Sequence, residues 1–383
     1  MLPRFFCLVC SFLMVAQACT AAADKPALAR GINLSSWLAN VPRQPLYARD
    51  FILIKQAGFD NVRLPVDPER LGFKLTPDFA VSDVDFLPLD RAITLAISNG
   101  LAVVLDVHPS DAFVQTLQEK KWARKKFAEL WVVLAKRYRE YPVHALAFEL
   151  LNEPQYYGAE KSYNEWIRTL AATVRKADRK RFLIVGAPLG SSIDGLQQME
   201  PLNDARVIYD FHFYEPYIFT HQGTAWGFEK QMLRYFHGLP YPASKVKYDA
   251  KVYTPESPNP SQAQSELKDY VDAKWDATRI AARINVAKEW AVHNKAEVIC
   301  GEFGVLRAHS DPASRYRWIG DARRALEADG IGWELWDYAD GFGIVQMHGK
   351  TVTDPADASV RFVDPAHGSR TFEPEALKAL GLR

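Results

Sequence analysis

Short apolar runs alternate along the chain with longer amphipathic stretches. Eight runs are rich in β-branched and aromatic residues: 30–35, 61–66, 102–108, 145–153, 182–187, 207–214, 298–304 and 330–338. Several are apolar without alternation, which is typical of parallel strands covered on both faces. Between the runs, apolar residues recur at helical spacing, as in Phe127, Leu130, Trp131 and Leu134. The pattern therefore predicts repeated strand–helix units whose aromatic stripes face a core.

Eight such units predict an α/β fold of the (β/α)₈ type, a TIM barrel in a single domain. A doubly wound sheet is the alternative, but the first run, Gly31 to Ser35, lacks the glycine spacing that such folds use for dinucleotides. Residues 215–297 separate the sixth and seventh runs, far more than a simple connection needs. We predict one domain over residues 24–383, with an insertion over about 215–297 that shapes the substrate site.

Residues 1–23 have the pattern of an export signal. Arg4 precedes an uncharged, mostly apolar run, and small residues at 16–18 and 21–23 offer cleavage sites. The run is too short to span a bilayer as a helix. We therefore expect an exported protein, periplasmic or secreted. Cys19 leaves a lipoprotein as one alternative, and a buried N-terminal helix is another.

Composition narrows the range of partners. Lys and Arg number 47 against 46 Asp and Glu in 383 residues, so the net charge is close to zero. Nucleic acids and anionic membranes usually demand a basic excess, and neither is an expected partner. Cys7, Cys10 and Cys19 lie within residues 1–23, which leaves only Cys300 well inside the domain. A disulfide framework and a cysteine-rich metal site are thereby excluded.

Polar or aromatic residues end six of the eight runs. They are Arg63, His108, Asn152 with Glu153, His212 with Tyr214, Glu302 and Trp336. Because the carboxyl ends of barrel strands meet at one mouth, we expect these side chains to converge there. One buried polar residue is usually structural, but six strand ends together indicate a functional site.

Two of these residues are carboxylates on opposite sides of the predicted ring. Such a pair suits acid-assisted cleavage of an acetal, in which Glu153 and Glu302 share the roles of acid and nucleophile. Arg63 and Tyr214 are placed to stabilise one ionised carboxylate, and Asn152 to bind the sugar 2-hydroxyl. Retention predicts carboxyl groups about 5–5.5 Å apart, and inversion about 6.5–9.5 Å.

The same residues allow two other interpretations. His108 and His212 suit a metal site, but metal-dependent barrel hydrolases usually carry an H-x-H pair near the first strand, and residues 31–35 contain no ligand. We therefore predict no metal and no cofactor. A non-catalytic glycan-binding barrel is the other reading, and the presence of both carboxylates argues against it.

At these residues the sequence resembles glycoside hydrolase family 5, the cellulase family of retaining barrel enzymes. Asn152-Glu153-Pro154 matches the family's acid/base signature, and Gly301-Glu302-Phe303-Gly304 matches its nucleophile strand. The resemblance implies Glu153 as acid/base and Glu302 as nucleophile. It implies supporting roles for Arg63, His108, Asn152, His212 and Tyr214, with Trp336 as the platform under the sugar. Similar enzymes carry a cis peptide after that Trp, so one is predicted at Trp336–Asp337.

The resemblance implies a β-glucan substrate, most simply for an endo-β-1,4-glucanase. A β-1,3-glucanase, a β-mannanase and a transglycosylating exo-glucanase are alternatives that would use the same site. His108 is followed by Pro109 rather than the second His of many members, and the long insertion also alters the cleft walls. Aromatic faces suit sugar rings, so further subsites are predicted at Trp37, Tyr156, Tyr157 and Trp226.

Overall fold

Eight parallel strands pair in sequence order, and the first pairs with the eighth to close a barrel. The computed structural model describes residues 25–35, 37–39, 45–226, 230–353, 361–363 and 368–383. The barrel strands are β1 (Arg30–Asn33), β2 (Asn61–Val66), β3 (Ala102–Val107), β4 (Leu146–Glu149), β5 (Phe182–Gly186), β6 (Val207–Phe213), β7 (Glu297–Phe303) and β8 (Gly332–Leu335). The predicted TIM barrel is confirmed.

Helices follow the strands and cover the outside of the barrel. They are α1 (Ala48–Gln56), α2 (Leu87–Ser98), α3 (Asp111–Glu119), α4 (Lys121–Tyr138), α5 (Glu160–Ala177), α6 (Ile193–Leu196), α7 (Tyr217–Thr220), α8 (Lys230–Leu233), α9 (Pro260–Asp272), α10 (Ala277–Asn294), α11 (Pro312–Ala328) and α12 (Pro374–Ala379). The predicted stripe on α4 is buried at Phe127, Leu130, Trp131 and Leu134, so it packs in the core as expected.

The inside of the barrel is divided into an apolar layer and a polar layer. Val104, Ala147, Ile208 and Ile299 belong to one small buried cluster. Because side chains two apart in a strand share a face, the inward residues that follow this cluster lie one step nearer the mouth. They are the buried polar residues Asp106 on β3, Glu149 on β4, Asp210 on β6 and, beside them, Arg63 on β2 and Glu334 on β8. The polar layer is the floor of the mouth.

The fourth strand ends earlier than its apolar run suggested. The run continues to residue 153, but β4 ends at Glu149. Single backbone bonds, from Leu150 N to Ile184 O and from Asn152 N to Val107 O, hold the next residues against both neighbouring strands. Glu153 then adopts a positive φ of 40°. The chain therefore turns at the mouth and presents Asn152 and Glu153 from a turn rather than from the strand.

Only part of the long segment between β6 and β7 departs from the ordinary barrel pattern. Its last part is α10, which packs against α11 as an ordinary barrel helix. The preceding part is anchored by buried residues, among them Phe236 and Tyr241. The Tyr241 hydroxyl donates to Asp321 on α11 at 2.8 Å. The described part of the excursion is therefore packed against the barrel, and the single domain over residues 24–383 stays a prediction from the sequence.

Two short antiparallel strand pairs follow β8. They are β9 (Val345–His348) with β12 (Ser369–Phe372), and β10 (Thr351–Thr353) with β11 (Arg361–Val363). Arg370 on β12 pairs with the buried Asp50 of α1 at 2.7 Å. The predicted export segment, residues 1–23, lies outside the described residues. No helix in the described ranges is long and apolar enough to cross a membrane.

Candidate active site

Glu153 and Glu302 meet at the mouth with His212 between them. Nδ1 of His212 lies 2.9 Å from Glu153 Oε1 and 3.5 Å from Glu302 Oε2. A carboxylate oxygen of Glu153 lies within 4.8 Å of one of Glu302. This close approach is nearer to the spacing of about 5–5.5 Å typical of retaining glycosidases than to that of inverting ones. The Glu153 side chain is 38% exposed, whereas Glu302 is buried.

Arg63 is the fully buried cation beneath this pair. Its NH1 group donates to Glu302 Oε1 at 2.6 Å, and its Nε and NH2 groups donate to the two oxygens of Glu149 at 2.7 Å each. Burial lowers the pKa of Arg63, but the charges of Asp106, Glu149 and Glu302 outweigh it and raise the pKa well above its ordinary value. The guanidinium therefore carries a permanent positive charge next to Glu302.

The two catalytic candidates have different surroundings. Glu302 has a donor on each oxygen, because Tyr214 donates to Oε2 at 2.9 Å and Arg63 to Oε1. Burial raises the pKa of Glu302 above its ordinary value, and the charges of His212 and Arg63 oppose that rise without cancelling it. Burial also disfavours the charged form of Glu153, but the hydrogen bond and charge of His212 lower its pKa overall. The protonation of Glu153 thus depends on His212.

Asp106, His108, Asn152 and Arg63 form a hydrogen-bonded chain in which each donor can be assigned. Burial lowers the pKa of His108 to about 4, so its ring is neutral near pH 7. Nδ1 lies 2.9 Å from Asp106 Oδ2, and Nε2 lies 3.2 Å from the Asn152 amide nitrogen. Arg63 NH2 donates to Asn152 Oδ1 at 2.9 Å. The chain assigns the proton to Nδ1 of His108 and leaves one Asn152 N–H for a ligand.

Trp336 lies at the end of β8 beside this chain. Its ring stacks on His108 with centroids 5.6 Å apart and an interplanar angle of 17°. The Trp336–Asp337 peptide is cis, as predicted, and Asp337 contacts the Ser35 hydroxyl. A Cβ atom at Gly304 would lie 2.1 Å from the Trp336 carbonyl oxygen, so this approach of two strand ends requires glycine. The ring is therefore held at a fixed place in the mouth.

The predicted outer aromatic residues do not share one environment. Tyr157 is 54% exposed and Trp226 is 55% exposed, while Trp37 is half-buried near Tyr338. Tyr156 is only 2% exposed, because its ring stacks on Trp166 of α5 at 5.8 Å. The prediction of a subsite at Tyr156 is therefore corrected: its ring faces the core and presents no surface to a sugar.

Several residues of the floor were not singled out in the sequence. Asp106, Glu149, Asp210 and Glu334 are all buried next to Arg63 or His212. Burial raises the pKa values of Asp106 and Glu149 to about 7 each, although Arg63 opposes the rise. A signal was present in the sequence, since Asp precedes His by two residues in both 106–108 and 210–212.

Two triads in the part of the chain described could hold a metal ion. One is Glu149, Asp210 and His212, and the other is Glu153, His212 and Glu302. His212 is common to both triads, with Nδ1 at 2.9 Å from Glu153 Oε1 and Nε2 at 3.0 Å from Asp210 Oδ2. The absence of a metal therefore stays a prediction from the sequence.

A separate groove lies at the other end of the barrel. Its lining includes Leu28, Arg30, Ile208, Glu297 and Gly332, which stand at the starts of strands. None of the predicted site residues lines it. The candidate chemistry is therefore confined to the mouth.

The mouth of the barrel holds two close carboxylates, with an arginine bound to one of them and the Trp336 ring beside them. This arrangement is typical of the active site of a retaining glycoside hydrolase. The family description "Cellulase (glycosyl hydrolase family 5)" matches residues 20–341, which is most of the chain. The chain belongs to this family, and the predicted resemblance is confirmed. Residues beyond 341, with β9 to β12 and α12, lie outside the match.

Curated relatives have similar sequences. Endoglucanase 3 of Fibrobacter succinogenes is 28% identical over 343 residues, which cover 85% of this chain and 51% of that protein. The chain thus spans about half the length of that relative. Endoglucanase C of Acetivibrio thermocellus is 29% identical over 325 residues, which cover 80% of this chain and 90% of that protein.

Solved structures have the same fold. Cel5A of Thermotoga maritima, solved in complex with cellobiose, is 25% identical with a TM-score of 0.69, covering 92% of this chain and 97% of that one. The cellulose synthase subunit Z of Clostridioides difficile is 27% identical with a TM-score of 0.68, covering 92% and 99%.

Proposed function

We propose that the chain is a retaining endo-β-1,4-glucanase in which Glu153 is the acid/base and Glu302 the nucleophile. The observation that carries this proposal is the pair of donors on Glu302, from Arg63 and Tyr214, together with the contact between Glu153 and the ring of His212. The two donors favour the ionised form of Glu302 against the effect of its burial, and Glu153 is the carboxylate that contacts the titratable ring of His212.

In the first step Glu302 attacks the anomeric carbon while Glu153 protonates the glycosidic oxygen that leaves. The C–O bond to the leaving sugar breaks, and a glycosyl ester forms on Glu302. The free Asn152 N–H is available to the sugar 2-hydroxyl, where a hydrogen bond strengthens as the sugar becomes cationic. Trp336 offers its face to the same sugar.

In the second step Glu153 takes a proton from water as that water attacks the anomeric carbon of the glycosyl ester. The ester bond breaks, Glu302 is regenerated as a carboxylate, and the product keeps the β-configuration. The bond from Arg63 to Glu302 favours this step because it stabilises the carboxylate that leaves.

Cleavage within a chain requires sugar contacts on both sides of the scissile bond. Tyr157 follows β4, whereas Trp37 and Trp336 follow β1 and β8 on the opposite side of the ring. Aromatic residues around both sides of the mouth support an open cleft and endo action. The pattern of residues 1–23 supports a further proposal, that the enzyme acts after export.

The decisive experiment is product analysis on hexasaccharides of β-1,4-glucan, β-1,3-glucan and β-1,4-mannan. We expect internal cleavage of the β-1,4-glucan, with the β-anomer appearing first by proton NMR. An α-anomer as first product would overturn the retaining mechanism. Exclusive release of one sugar unit from chain ends would overturn the endo assignment.

A β-mannanase is the second candidate, favoured by one comparison. Thermotoga maritima Cel5A, 25% identical with a TM-score of 0.69, was also solved in complex with mannotriose. Mannose differs from glucose at the 2-hydroxyl, which is the group that Asn152 and His108 would face. Faster turnover of the mannan hexasaccharide than of the glucan would make mannan the substrate.

A further inference from the structure

Two strands on different sides of the barrel carry an Asp two residues before a His of the site. Asp106 lies on β3 and His108 directly follows that strand, while Asp210 and His212 both lie on β6. Each Asp is fully buried beneath its His. The first pair makes a hydrogen bond of 2.9 Å, whereas the second is an ion-pair contact of 3.0 Å without hydrogen-bond geometry. The spacing places both residues of each pair on the inner face of the barrel.

The two pairs use opposite nitrogens of the ring. Asp106 lies against Nδ1 of His108, whereas Asp210 Oδ2 lies against Nε2 of His212. The free nitrogen of His108 therefore faces Asn152, and the free nitrogen of His212 faces Glu153. A carboxylate beside Nε2 keeps a proton on that nitrogen, so Nδ1 is the end of His212 that exchanges a proton.

From this arrangement we propose that Asp210 is a positioning residue that acts through His212, so that His212 and Glu153 share the proton used in glycosidic cleavage. The inference rests on the proposed role of Glu153. Before cleavage the shared proton lies between Nδ1 and Glu153 Oε1. It leaves on the departing glycosidic oxygen, and the proton of the attacking water restores it in the second step.

Asp210 itself is held from the neighbouring strand. The Gly301 N–H donates to Asp210 Oδ1 at 2.7 Å, so Oδ1 is bound to the β7 backbone and Oδ2 remains for the ring. A Cβ atom at position 301 would lie 2.5 Å from Oδ1. Glycine is therefore required for Asp210 to approach β7 so closely, one residue before Glu302. The nucleophile strand and the proton-sharing chain are fixed together.

The charges around His212 determine whether loss of Asp210 raises or lowers the pKa of the His212–Glu153 pair. The titratable groups that face this part of the floor are Arg63 on β2, Asp106 on β3, His108 after β3, Glu149 on β4, Glu153 after β4, Tyr163 on α5, Tyr214 after β6, Cys300 and Glu302 on β7, and Glu334 on β8. Burial lowers the pKa of His212, but Glu302 and Asp210 raise it well above its ordinary value. Removing the charge of Asp210 must then weaken proton binding by the His212–Glu153 pair.

The test is Asp210→Asn in the full chain, with kcat/KM measured across pH on two aryl β-cellobiosides. Phenol needs a proton to leave, whereas 2,4-dinitrophenolate does not. We expect kcat/KM to fall about 100-fold on the phenyl substrate and only a few-fold on the dinitrophenyl substrate. The alkaline limb on the phenyl substrate should move about 1 pH unit lower.

Asp106→Asn is the matched control, because it makes the same change on the other Asp-x-His strand. We expect it to lower kcat/KM by a similar factor on both substrates and to move the alkaline limb less than Asp210→Asn does. Equal losses on both substrates for Asp210→Asn, or an unmoved limb, would overturn the proposal.

A measurement on the unmodified enzyme tests the same point if Asp210→Asn does not fold. In protein with ¹⁵N-labelled histidine, His212 should keep its Nε2 proton above the alkaline limb, with assignment from His212→Gln. An Nδ1–H tautomer there would contradict the role of Asp210. Because this signal does not depend on turnover, its outcome is separate from the outcome of the product analysis.

Discussion

The floor of the mouth and its rim are built in opposite ways. On the floor Arg63 is fully buried and contacts carboxylates from β3, β4 and β7. On the rim Tyr157 and Trp226 stand on loops with more than half of each side chain exposed. Strands hold the buried charges of the floor, whereas loops supply contact area that varies without disturbing the barrel.

This contrast predicts different kinds of damage. Changing a floor residue leaves a buried partner without its counter-charge, so both stability and catalysis respond. Changing a rim residue removes only the area that a sugar would cover, so binding alone responds. Four substitutions, from the largest expected effect to the smallest, test this division.

The largest effect is expected for Glu302→Gln, which removes the proposed nucleophile with little change of shape. We expect kcat to fall about 10⁴-fold or more, because loss of a nucleophile costs up to about 10⁶-fold in other enzymes. Binding of cellotetraose, measured by calorimetry, should persist. Turnover equal to that of the unchanged enzyme would contradict the assignment.

The companion variant Glu302→Ala assigns the roles separately. With azide and a dinitrophenyl β-cellobioside, it should form the α-glycosyl azide, because azide replaces the missing nucleophile. Glu153→Ala should instead form the β-glycosyl azide, since its ester intermediate still forms. The reverse pattern would exchange the two roles.

Arg63→Lys tests the floor as a structural unit. A lysine has one compact ammonium and does not reproduce the fork that binds both oxygens of Glu149 and one of Glu302. We expect the free energy of unfolding to fall by about 3 kcal/mol, measured by urea denaturation. Arg139→Lys is the control, because its pair with Glu140 lies on the surface. Equal effects of both changes would refute the special status of the floor.

Tyr156→Ala tests whether the Tyr156 ring belongs to the core rather than to the substrate site. Because the ring packs against Trp166 and Tyr163, its removal should lower the free energy of unfolding by about 3 kcal/mol. KM on cellohexaose should stay unchanged. A raised KM with unchanged stability would restore Tyr156 to the substrate site.

The same contrast explains what the sequence predicted. The eight strands, and the polar residues at their ends, could be predicted from the sequence. The spacing of apolar residues and the position of a residue at the end of a strand are local properties of the chain. The Asp-x-His spacing of Asp210 is also present in the sequence. The role proposed for Asp210, however, depends on a contact with Gly301 on another strand, which the spacing does not indicate. Tyr156 is buried and its neighbour Tyr157 is exposed because of the direction in which the turn after β4 runs. Two adjacent tyrosines in a sequence do not indicate that direction.

The smallest effect is expected for Trp226→Ala. Its ring packs at its edge against His221 and Phe342, with centroids 5.4 and 6.3 Å away, and leaves the rest of its surface to solvent. Loss of one stacking contact of about 1 kcal/mol should raise KM for cellohexaose about fivefold. The kcat value and the unfolding free energy should not change, and a short aryl β-cellobioside should be cleaved as before. A Tyr157→Ala variant should likewise raise KM for cellohexaose, because it removes exposed aromatic area after β4. A loss of kcat on the short substrate in either variant would mean that rim and floor are coupled, and the division between chemistry and contact area would fail.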